Sequence, residues 1–516
     1  MAPVTITRTP PPKFHRFKLL LLLCLCVALQ LYFLRSTQDL LVVQHPPHED
    51  RSDERFVPNH DSAEKDHSTE QMFDAALSKT TSMLYRHSAE LDYWMAQPAP
   101  AVYVYDHISA EYSDVANVSA CVDRRHGTGP DDGKDSRREP FPPWNNCRWQ
   151  PSICENTHAP RSPKQEEFLS HKNNYNQDVA YLERFENTYP YKTTDPSQAD
   201  LFLVPFPIKS FCLCRKDFKK HKPRCMADFD QIQRNVMDKL THRRNHSSKH
   251  VFLYGADQWM DKRLDRLTEA GLSISLGPVK KSKSGWIAVP YISSSAMVQP
   301  RTIYDRPREW WTRDRRFALG AAFGTPKKLI DRRKFIQHPE QHVGISIAGK
   351  NNSIHDLGLG RTAFFNFGQL YRNSTFCLVL AGDNCPQKRF FEVILNGCIP
   401  ILPTYGPHYA RGGCHVESTY PFSKGSMLPG DGGVDMTNII LTYDGKDCGF
   451  PCLREPMERL LSNQTALHEH QLRLREYAML SSFGFSNESY GYPDAFMGTI
   501  VALRHKIWHR TGKLRG

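Results

Sequence analysis

The residues best suited to chemistry in this chain are an arginine and a glutamate, Arg389 and Glu392, in the run from Tyr371 to Tyr405. Residues three apart on a helix share a face. An arginine can bind a diphosphate, and a glutamate can accept both hydroxyls of a ribose. The pair could therefore bind a nucleotide. The spacing fits an exposed ion pair between the two side chains equally well.

The surrounding residues predict one βαβ unit that positions this pair. In open α/β sheets, ligands bind beyond the carboxyl ends of the strands, where helix N-termini point free amides at anions. Pro400 and Pro403 suggest that the second strand has an end near an opening rather than a place at the sheet centre. The predicted elements are a strand at Phe376–Leu380, a turn at Gly382–Asn384, a helix from about Gln387 to Asn396 with Gly397 as its C-cap, and a strand at Ile399–Leu402.

The N-terminus predicts a membrane anchor. Leu19–Leu34 is an uncharged apolar run, and Lys13, Arg16 and Lys18 before it orient the basic end toward the cytosol. This pattern predicts a single-pass type II protein of the Golgi membrane, with its body in the lumen. A cleaved signal peptide is the alternative, but no clear small-x-small cleavage site follows the run.

Residue usage beyond the anchor is typical of an oxidising compartment. All of the 14 cysteines except Cys24 and Cys26 lie beyond the apolar run, and an even number permits disulfides without giving their pairing. Asn373 begins another Asn-x-Ser/Thr sequence, but it lies so close to the predicted buried strand that we expect no glycan there. N-glycosylation is predicted at Asn117, Asn245, Asn351, Asn463 and Asn487.

Two groups of cysteines resemble metal or redox sites only in part. Cys212 and Cys214, with Cys225 downstream, begin with a pair too closely spaced for the usual zinc motif, so disulfides are favoured and no metal site is predicted. Cys448 and Cys452 are likewise predicted to staple a loop rather than to form a redox motif.

Composition divides the chain into an anchor, a stem and a long body. The segment before residue 100 is rich in His, Asp, Glu, Ser and Pro, which is typical of a solvated stem, with a helix between Phe73 and Trp94. The body is too long for one ordinary core and fits two α/β domains. The predicted boundaries are a cytosolic tail at 1–18, a transmembrane signal anchor at 19–34, a stem at 35–100, a first domain at 101–315 and a second domain at 316–516.

The first half of the body predicts a parallel sheet, because apolar strands alternate with helical stretches. A helix is expected from about Asn176 to Phe185. Strands are expected at Ala101–Asp106, Leu201–Phe206, His250–Gly255 and Gly285–Tyr291.

Two motifs carry a resemblance to a known family. The first is a Tyr-x-Thr-x-Asp-Pro-x-x-Ala-Asp-x-Phe-x-Val-Pro pattern, matched by Tyr191, Thr193, Asp195, Pro196, Ala199, Asp200, Phe202, Val204 and Pro205. The second is the βαβ unit, matched by Ser374, Phe376, Cys377, Leu378, Gly382, Asp383, Arg389, Glu392, Gly397, Cys398, Ile399 and Pro400. In their order and rough spacing, over about residues 101–500, these matches make the chain similar to exostosin-type glycosyltransferases (glycosyltransferase family 47).

The resemblance implies a GT-B fold, in which two Rossmann-like domains face each other. The N-terminal domain of such enzymes binds the acceptor, a glycan or polysaccharide, and the C-terminal domain binds a nucleotide sugar, usually a UDP-sugar. Inverting transfer without a metal or other cofactor is also implied, with Lys388, Arg389 and helix-terminal amides stabilising the departing diphosphate. The expected donor-binding residues are Gly382, Asp383, Gln387, Lys388, Arg389 and Glu392.

One departure from the family pattern leaves a second function open. Just ahead of Arg389 the family usually has Ser or Thr, Ser and Arg, where this chain has Pro386, Gln387 and Lys388. The amide of Gln387 and the charge of Lys388 can still meet a phosphate. The alternative is a noncatalytic Golgi protein that keeps the fold and binds glycan or partner glycosyltransferases, and a homo- or hetero-oligomer stays open in either case.

Inverting transfer needs a general base beside the acceptor hydroxyl. Asp106, His107 and Asp257 are the candidates because they follow predicted strands of the first domain, although residues at strand ends are often only turn formers.

The charge of the chain fits anionic ligands. The net charge is +12, and the basic runs at Arg215–Arg224 and Lys280–Gly285 suit either an acidic polysaccharide or a solvated face. Nucleic acid is not expected as a partner in the lumen. A sulfotransferase is disfavoured, because no basic Gly/Ser-rich phosphate cradle follows the predicted strand at Tyr103.

Overall fold

The structure is a computed structural model that describes twelve stretches of the chain and the single residue 368. The stretches are 62–105, 177–206, 236–254, 270–276, 285–291, 300–321, 370–380, 388–403, 420–424, 432–443, 450–484 and 491–511. The predicted anchor at 19–34 lies outside them. Among the described helices, none combines the length and the apolar character that crossing a bilayer requires.

Six parallel strands in the described part of the chain form a first sheet. They are β1 (Val102–Val104), β2 (Lys192–Thr193), β3 (Leu201–Val204), β4 (His250–Leu253), β5 (Leu272–Leu276) and β6 (Trp286–Val289). They lie side by side in the order β2-β1-β3-β4-β5-β6. Because β3, β4 and β6 are buried along their whole length, this is a sheet covered on both faces, as an all-parallel sheet must be.

Four described strands form a second parallel sheet. They are β7 (Phe317–Ala321), β8 (Ser374–Leu378), β9 (Ile399–Pro403) and β10 (Leu441–Tyr443). Their spatial order is β10-β9-β8-β7. The first sheet thus ends in sequence before residue 315, and the second begins after it.

Helices cover the sheets and join them. The described α-helices are α1 (Ser62–Tyr85), α2 (Leu91–Ala96), α3 (Gln177–Asn187), α4 (Arg243–His246), α5 (Pro300–Asp305), α6 (Arg308–Thr312), α7 (Lys388–Leu395), α8 (Phe450–Leu461), α9 (Gln464–Ser481) and α10 (Ala495–Thr511). Helix α3 packs on β4 and β5, α7 packs on β9 beneath α9, and α10 packs on β6. The last helix of the chain therefore contacts the first sheet.

The parallel sheet predicted for the first half is confirmed, with strands shorter than the apolar runs suggest. For example, β3 ends at Val204 rather than Phe206, because the ladder ends before the apolar run does. In the second sheet, β8 begins at Ser374, ahead of the apolar residues. Strand β5 is not predicted by the sequence pattern, because Ser273 and Ser275 interrupt its apolar run, yet both serines are buried.

Pro400 and Pro403 suggested a strand end near an opening rather than a place at the sheet centre, and this expectation is wrong for β9. Strand β9 lies between β8 and β10. Pro400, which is in register with Cys377, lacks one donor, but the Val379 N–H still donates to the Ile401 carbonyl at 2.9 Å. Pro403 is the last residue of the strand, a position at which proline costs little.

Two helices of the predicted stem belong to the body. Helices α1 and α2 pack on α10, where the Trp94 ring stacks on His505 with 4.5 Å between ring centroids and the Tyr85 hydroxyl bonds to His505 Nδ1. The buried Arg504 of α10 donates to the Thr81 hydroxyl at 2.9 Å. This corrects the expectation of a solvated stem from α1 onward.

Truncation tests this boundary. A variant that lacks residues 1–61 will be as stable as the whole chain, whereas one that lacks residues 1–100 will lose stability because it exposes the α10 surface that Tyr85 and Trp94 cover. Burying one large apolar side chain contributes roughly 1.5–3 kcal/mol, so losing Phe73, Tyr85 and Trp94 together will cost at least about 5 kcal/mol. Urea denaturation measures both variants, and equal midpoints would contradict the assignment.

A buried ion pair ties α3 to the segment before α10. Arg184 Nη1 donates to Asp494 Oδ2 at 2.9 Å and to the Gly484 carbonyl at 2.7 Å, with the two charged side chains 4% and 0% exposed. Asp494 also accepts the Gly484 and Met497 N–H groups. Nearby, the Tyr181 hydroxyl donates to the Ala495 carbonyl. These bonds hold the C-terminal helix on the first sheet.

Replacing Asp494 with alanine will destabilise the protein by about 3–5 kcal/mol, because it leaves the Arg184 guanidinium buried without its carboxylate. Asp305→Ala is the matched control. It breaks an exposed pair with Arg301, for which a change of about 0–1 kcal/mol is expected. Chemical denaturation gives both values, and an Asp494→Ala variant as stable as the control would show that the pair is not needed.

Candidate functional site

Arg389 and Glu392 lie on α7, a short helix between β8 and β9 whose residues from Phe390 to Leu395 are almost wholly buried. The Phe390 ring packs on Tyr420 with 4.3 Å between centroids. Only this packing can hold a helix of eight residues, because isolated helices of that length are unstable in water. The predicted helix is thus confirmed within a residue at each end.

The C-terminal end of α7 is fixed by a glycine and a disulfide. Gly397 has a φ of +74°, its N–H donates to the Ile394 carbonyl at 2.8 Å, and the Cys398 N–H donates to the Val393 carbonyl at 3.1 Å. This is the Schellman arrangement, and it confirms Gly397 as the C-cap. A disulfide between Cys398 and Cys377 then joins the turn to β8.

Glu392 pairs with a different cation from the one that the spacing suggested. Its Oε1 lies 3.8 Å from Lys388 Nζ, and the two side chains are 12% and 13% exposed. Burial lowers the pKa of Lys388, while the Glu392 carboxylate opposes that change. Since no ion pair joins Arg389 to Glu392 among the described residues, the exposed pair considered above does not form.

One buried N–H donor of Arg389 has no hydrogen-bond acceptor. Its guanidinium lies beside the buried Tyr371 hydroxyl, whose pKa is raised by burial and held back by the arginine charge. Arg389 Nη1 is buried, yet it has no acceptor. A buried donor left unsatisfied costs about 1–3 kcal/mol. An anionic ligand at the start of α7 would supply the missing acceptor.

Sequence reasoning missed Tyr371, which precedes β8 by three residues. The charges of Arg389 and Glu392 both act on its hydroxyl. An aromatic residue at that position is typical of core packing, so the residue type alone does not indicate a site.

At the predicted catalytic end of the first sheet, the structure describes the chain as far as Tyr105. The Tyr105 hydroxyl lies 2.8 Å from His250 Nε2, and the two rings are stacked. Burial lowers the pKa of His250 to about 4, so this imidazole is neutral at physiological pH. His250 therefore has a structural place at the start of β4, beside the aromatic ladder of the sheet.

The other predicted residues fall into two groups. Asn245, Asn373 and Asn463 are exposed, and Asn463 caps α9 by accepting the Ala466 N–H through Oδ1 at 3.0 Å, which leaves its nitrogen out of the cap. Cys452 is disulfide-bonded. The predictions at Asp106, His107, Asn117, Cys212, Cys214, Cys225, Asp257, Asn351, Gly382, Asp383, Gln387, Cys448 and Asn487 lie outside the described residues.

Among the residues that the structure describes, no three His, Cys, Asp or Glu side chains converge in a way that could hold a metal ion. The cationic side chains at the start of α7 are the groups there that suit a charged ligand.

Comparison with known proteins identifies the family. The chain matches the Exostosin GT47 domain over residues 96–415, a range that includes the first sheet, α7 and three of the four described strands of the second sheet. The chain belongs to this family.

Two curated relatives from Arabidopsis thaliana share parts of the sequence. The xyloglucan-specific galacturonosyltransferase 1 is 23% identical over 244 residues, which cover 43% of this chain and 34% of that protein. A probable xyloglucan galactosyltransferase, GT14, is 36% identical over 55 residues, 11% of each chain. The chain thus spans about a third or less of the length of these relatives.

Among solved structures, the glycotransferase of kitacinnamycin is similar, with 11% sequence identity and a TM-score of 0.25. The match covers 64% of this chain and 82% of that one.

If Arg389 binds a ligand rather than stabilising the fold, replacing it with methionine will change the free energy of unfolding of the ligand-free protein by no more than about 1 kcal/mol. The variant loses the contact with Tyr371 but also removes an unsatisfied buried donor. Arg184→Met is the matched control, with an expected loss of about 3–5 kcal/mol because its Asp494 partner stays buried. Equal losses in urea denaturation would make Arg389 a structural residue.

Proposed function

We propose that this protein is a glycosyltransferase that moves a sugar from a UDP-sugar to a glycan or polysaccharide acceptor. The observation that carries the proposal is the buried Nη1 of Arg389, a charged donor without an acceptor in the first turn of α7. Membership of the exostosin GT47 family supports the reaction class.

The charge arrangement supports a diphosphate at this point. Lys388 and Arg389 are adjacent at the start of α7, where the first amides of a helix have no partners within it and the helix dipole favours an anion. An arginine can bind two phosphate oxygens at once. As the bond to the sugar breaks, negative charge grows on the diphosphate, and these fixed cations stabilise it without reorganisation.

Glu392 supports the nucleoside part of the ligand. Its carboxylate lies one turn beyond Lys388 and 3.8 Å from Lys388 Nζ. A ribose can donate both hydroxyls to such a carboxylate. In this proposal Arg389 and Lys388 hold the diphosphate, Glu392 holds the ribose, and Gly382, Asp383 and Gln387 complete the site.

The two parallel sheets support a GT-B arrangement with the acceptor on the first domain. Asp106, His107 and Asp257 stay the candidate bases there, and transfer would be inverting and independent of metal. The relatives named for xyloglucan support a polysaccharide acceptor. A type II anchor at Leu19–Leu34 would place the body in the Golgi lumen, a location that the disulfide between Cys377 and Cys398 supports.

UDP binding tests the site. At 100 times its dissociation constant, UDP will stabilise the wild-type body by about 2.7 kcal/mol, and Arg389→Met will lose most of that gain. Arg459→Met, which removes an exposed arginine of α8, will keep it. A wild-type protein that shows no stabilisation by UDP in thermal denaturation would contradict the donor assignment.

Transfer from a panel of UDP-sugars then separates the two candidate functions. The proposal predicts turnover with at least one donor that Arg389→Met reduces by a hundredfold or more, about 3 kcal/mol of transition-state stabilisation. UDP binding without hydrolysis or transfer of any sugar would instead favour a noncatalytic protein that binds glycan or partner glycosyltransferases.

A further inference from the structure

Four arginines converge at the opposite end of α7. Arg306, Arg313 and Arg315 place their guanidinium carbons 3.9, 4.9 and 5.4 Å from the centre of the Trp310 ring. Arg372 joins them by donating to the Asn396 side chain at 2.9 Å. We call these five residues, Arg306, Trp310, Arg313, Arg315 and Arg372, the arginine cluster.

Part of the cluster has a structural role. Arg306 Nη1 donates to the Leu395 carbonyl at 3.2 Å, and Arg315 Nη1 donates to the Arg372 carbonyl at 2.7 Å and more weakly to the Asn396 carbonyl at 3.4 Å. The last carbonyls of a helix lack partners within it, and cations nearby are favourable. Capping α7 therefore explains one donor of Arg306 and one donor of Arg315.

Capping does not explain the remaining donors or the charge. Arg315 Nε and Nη2 are buried and have no acceptor. In the described part of the chain no carboxylate forms an ion pair with Arg306, Arg313 or Arg315. Arg313 Nη2 and Arg315 Nη1 donate to the same carbonyl, that of Arg372, so two positive groups are neighbours.

The pKa values of two of these arginines show that the arrangement is unfavourable for their charged forms. Burial, and to a smaller extent the neighbouring arginines, lower the pKa of Arg315 to about 9 and that of Arg306 to about 10. Like charges in a partly desolvated site repel each other strongly. An anion that accepted hydrogen bonds from the fork of Arg315 and from Arg313 would remove both the repulsion and the unsatisfied donors.

We propose that the arginine cluster is a binding site for an oxyanion group, the carboxylate or sulfate of an acidic polysaccharide. The fork of a guanidinium group can donate two hydrogen bonds to two oxygens of a carboxylate or a sulfate, which the single ammonium of lysine does less well. The exposed Arg313 would meet the ligand first, and the half-buried Arg306 and Arg315 would hold it. A free sulfate or phosphate ion shares this chemistry and is the second source to be distinguished.

The site is separate from the donor site proposed above. Helix α7 extends from Lys388 to Leu395, so its two ends lie roughly 10 Å apart at 1.5 Å per residue. The donor residues occupy the first turn, and the cluster surrounds the last carbonyls. A glycan could therefore be held here without displacing a nucleotide.

Binding of polygalacturonate, with neutral dextran as the reference, tests the proposal by calorimetry on the lumenal body at low salt. We expect wild type to bind polygalacturonate and not dextran. Arg313→Gln and Arg315→Gln will each weaken binding about tenfold, the effect of one charged hydrogen bond. Arg308→Gln is the matched control: it removes an exposed arginine of α6 that is not in the cluster and will change affinity less than twofold.

If Arg315→Gln does not fold, the affinity of the exposed Arg313→Gln variant for polygalacturonate still tests the proposal. Sulfate that stabilises wild type but not Arg313→Gln, in the absence of polygalacturonate binding, would support the oxyanion site with a free ion as its source. Equal weakening of polygalacturonate binding by Arg313→Gln and Arg308→Gln would overturn the proposed oxyanion site. So would a wild-type protein that binds neither polygalacturonate nor sulfate. UDP affinity unchanged in Arg313→Gln would support the separation of the two sites.

Discussion

The burial of α7, the helix that connects β8 to β9, is the constraint on which the rest of this structure depends. A helix of eight residues does not persist alone, so the position of every side chain on it is set by what packs around it. Its apolar residues lie against β9 and α9, its end is stopped at Gly397 by a left-handed turn, and the Cys377–Cys398 disulfide joins that turn to β8. Such a cross-link over about twenty residues stabilises by roughly 3 kcal/mol.

This packing gives α7 two cationic ends. At its start, Lys388 and Arg389 stand where helix amides already favour an anion, and one guanidinium nitrogen has no acceptor. At its end, arginines cap the carbonyls, which is favourable for a helix, but more arginines are present than capping uses. Both ends carry donors that the fold does not satisfy. Proteins tolerate such local costs at functional sites, because ligands supply the missing partners.

Much of this architecture can be read from the sequence, and the failures have physical causes. The apolar run before Arg389 and the glycine after it identify α7 and its flanking strands, because burial on both faces and a left-handed C-cap each leave a local signal. Strand β5 leaves none, since its buried Ser273 and Ser275 look like surface residues. The packing of Tyr85 and Trp94 on α10 joins segments about 400 residues apart, and local patterns do not encode a contact of that kind.

The choice of partner within the site was also beyond the sequence. Arg389 and Lys388 lie at equally suitable spacings from Glu392, and in the folded chain Glu392 lies 3.8 Å from Lys388 Nζ while Arg389 lies beside the buried Tyr371.

A crystal structure of residues 62–516 with UDP bound would test the proposed donor site directly. We expect diphosphate oxygens within about 3 Å of Arg389 Nη1, and the ribose hydroxyls at the same distance from the Glu392 carboxylate. A UDP molecule bound elsewhere, with Arg389 Nη1 still buried and without an acceptor, would contradict it.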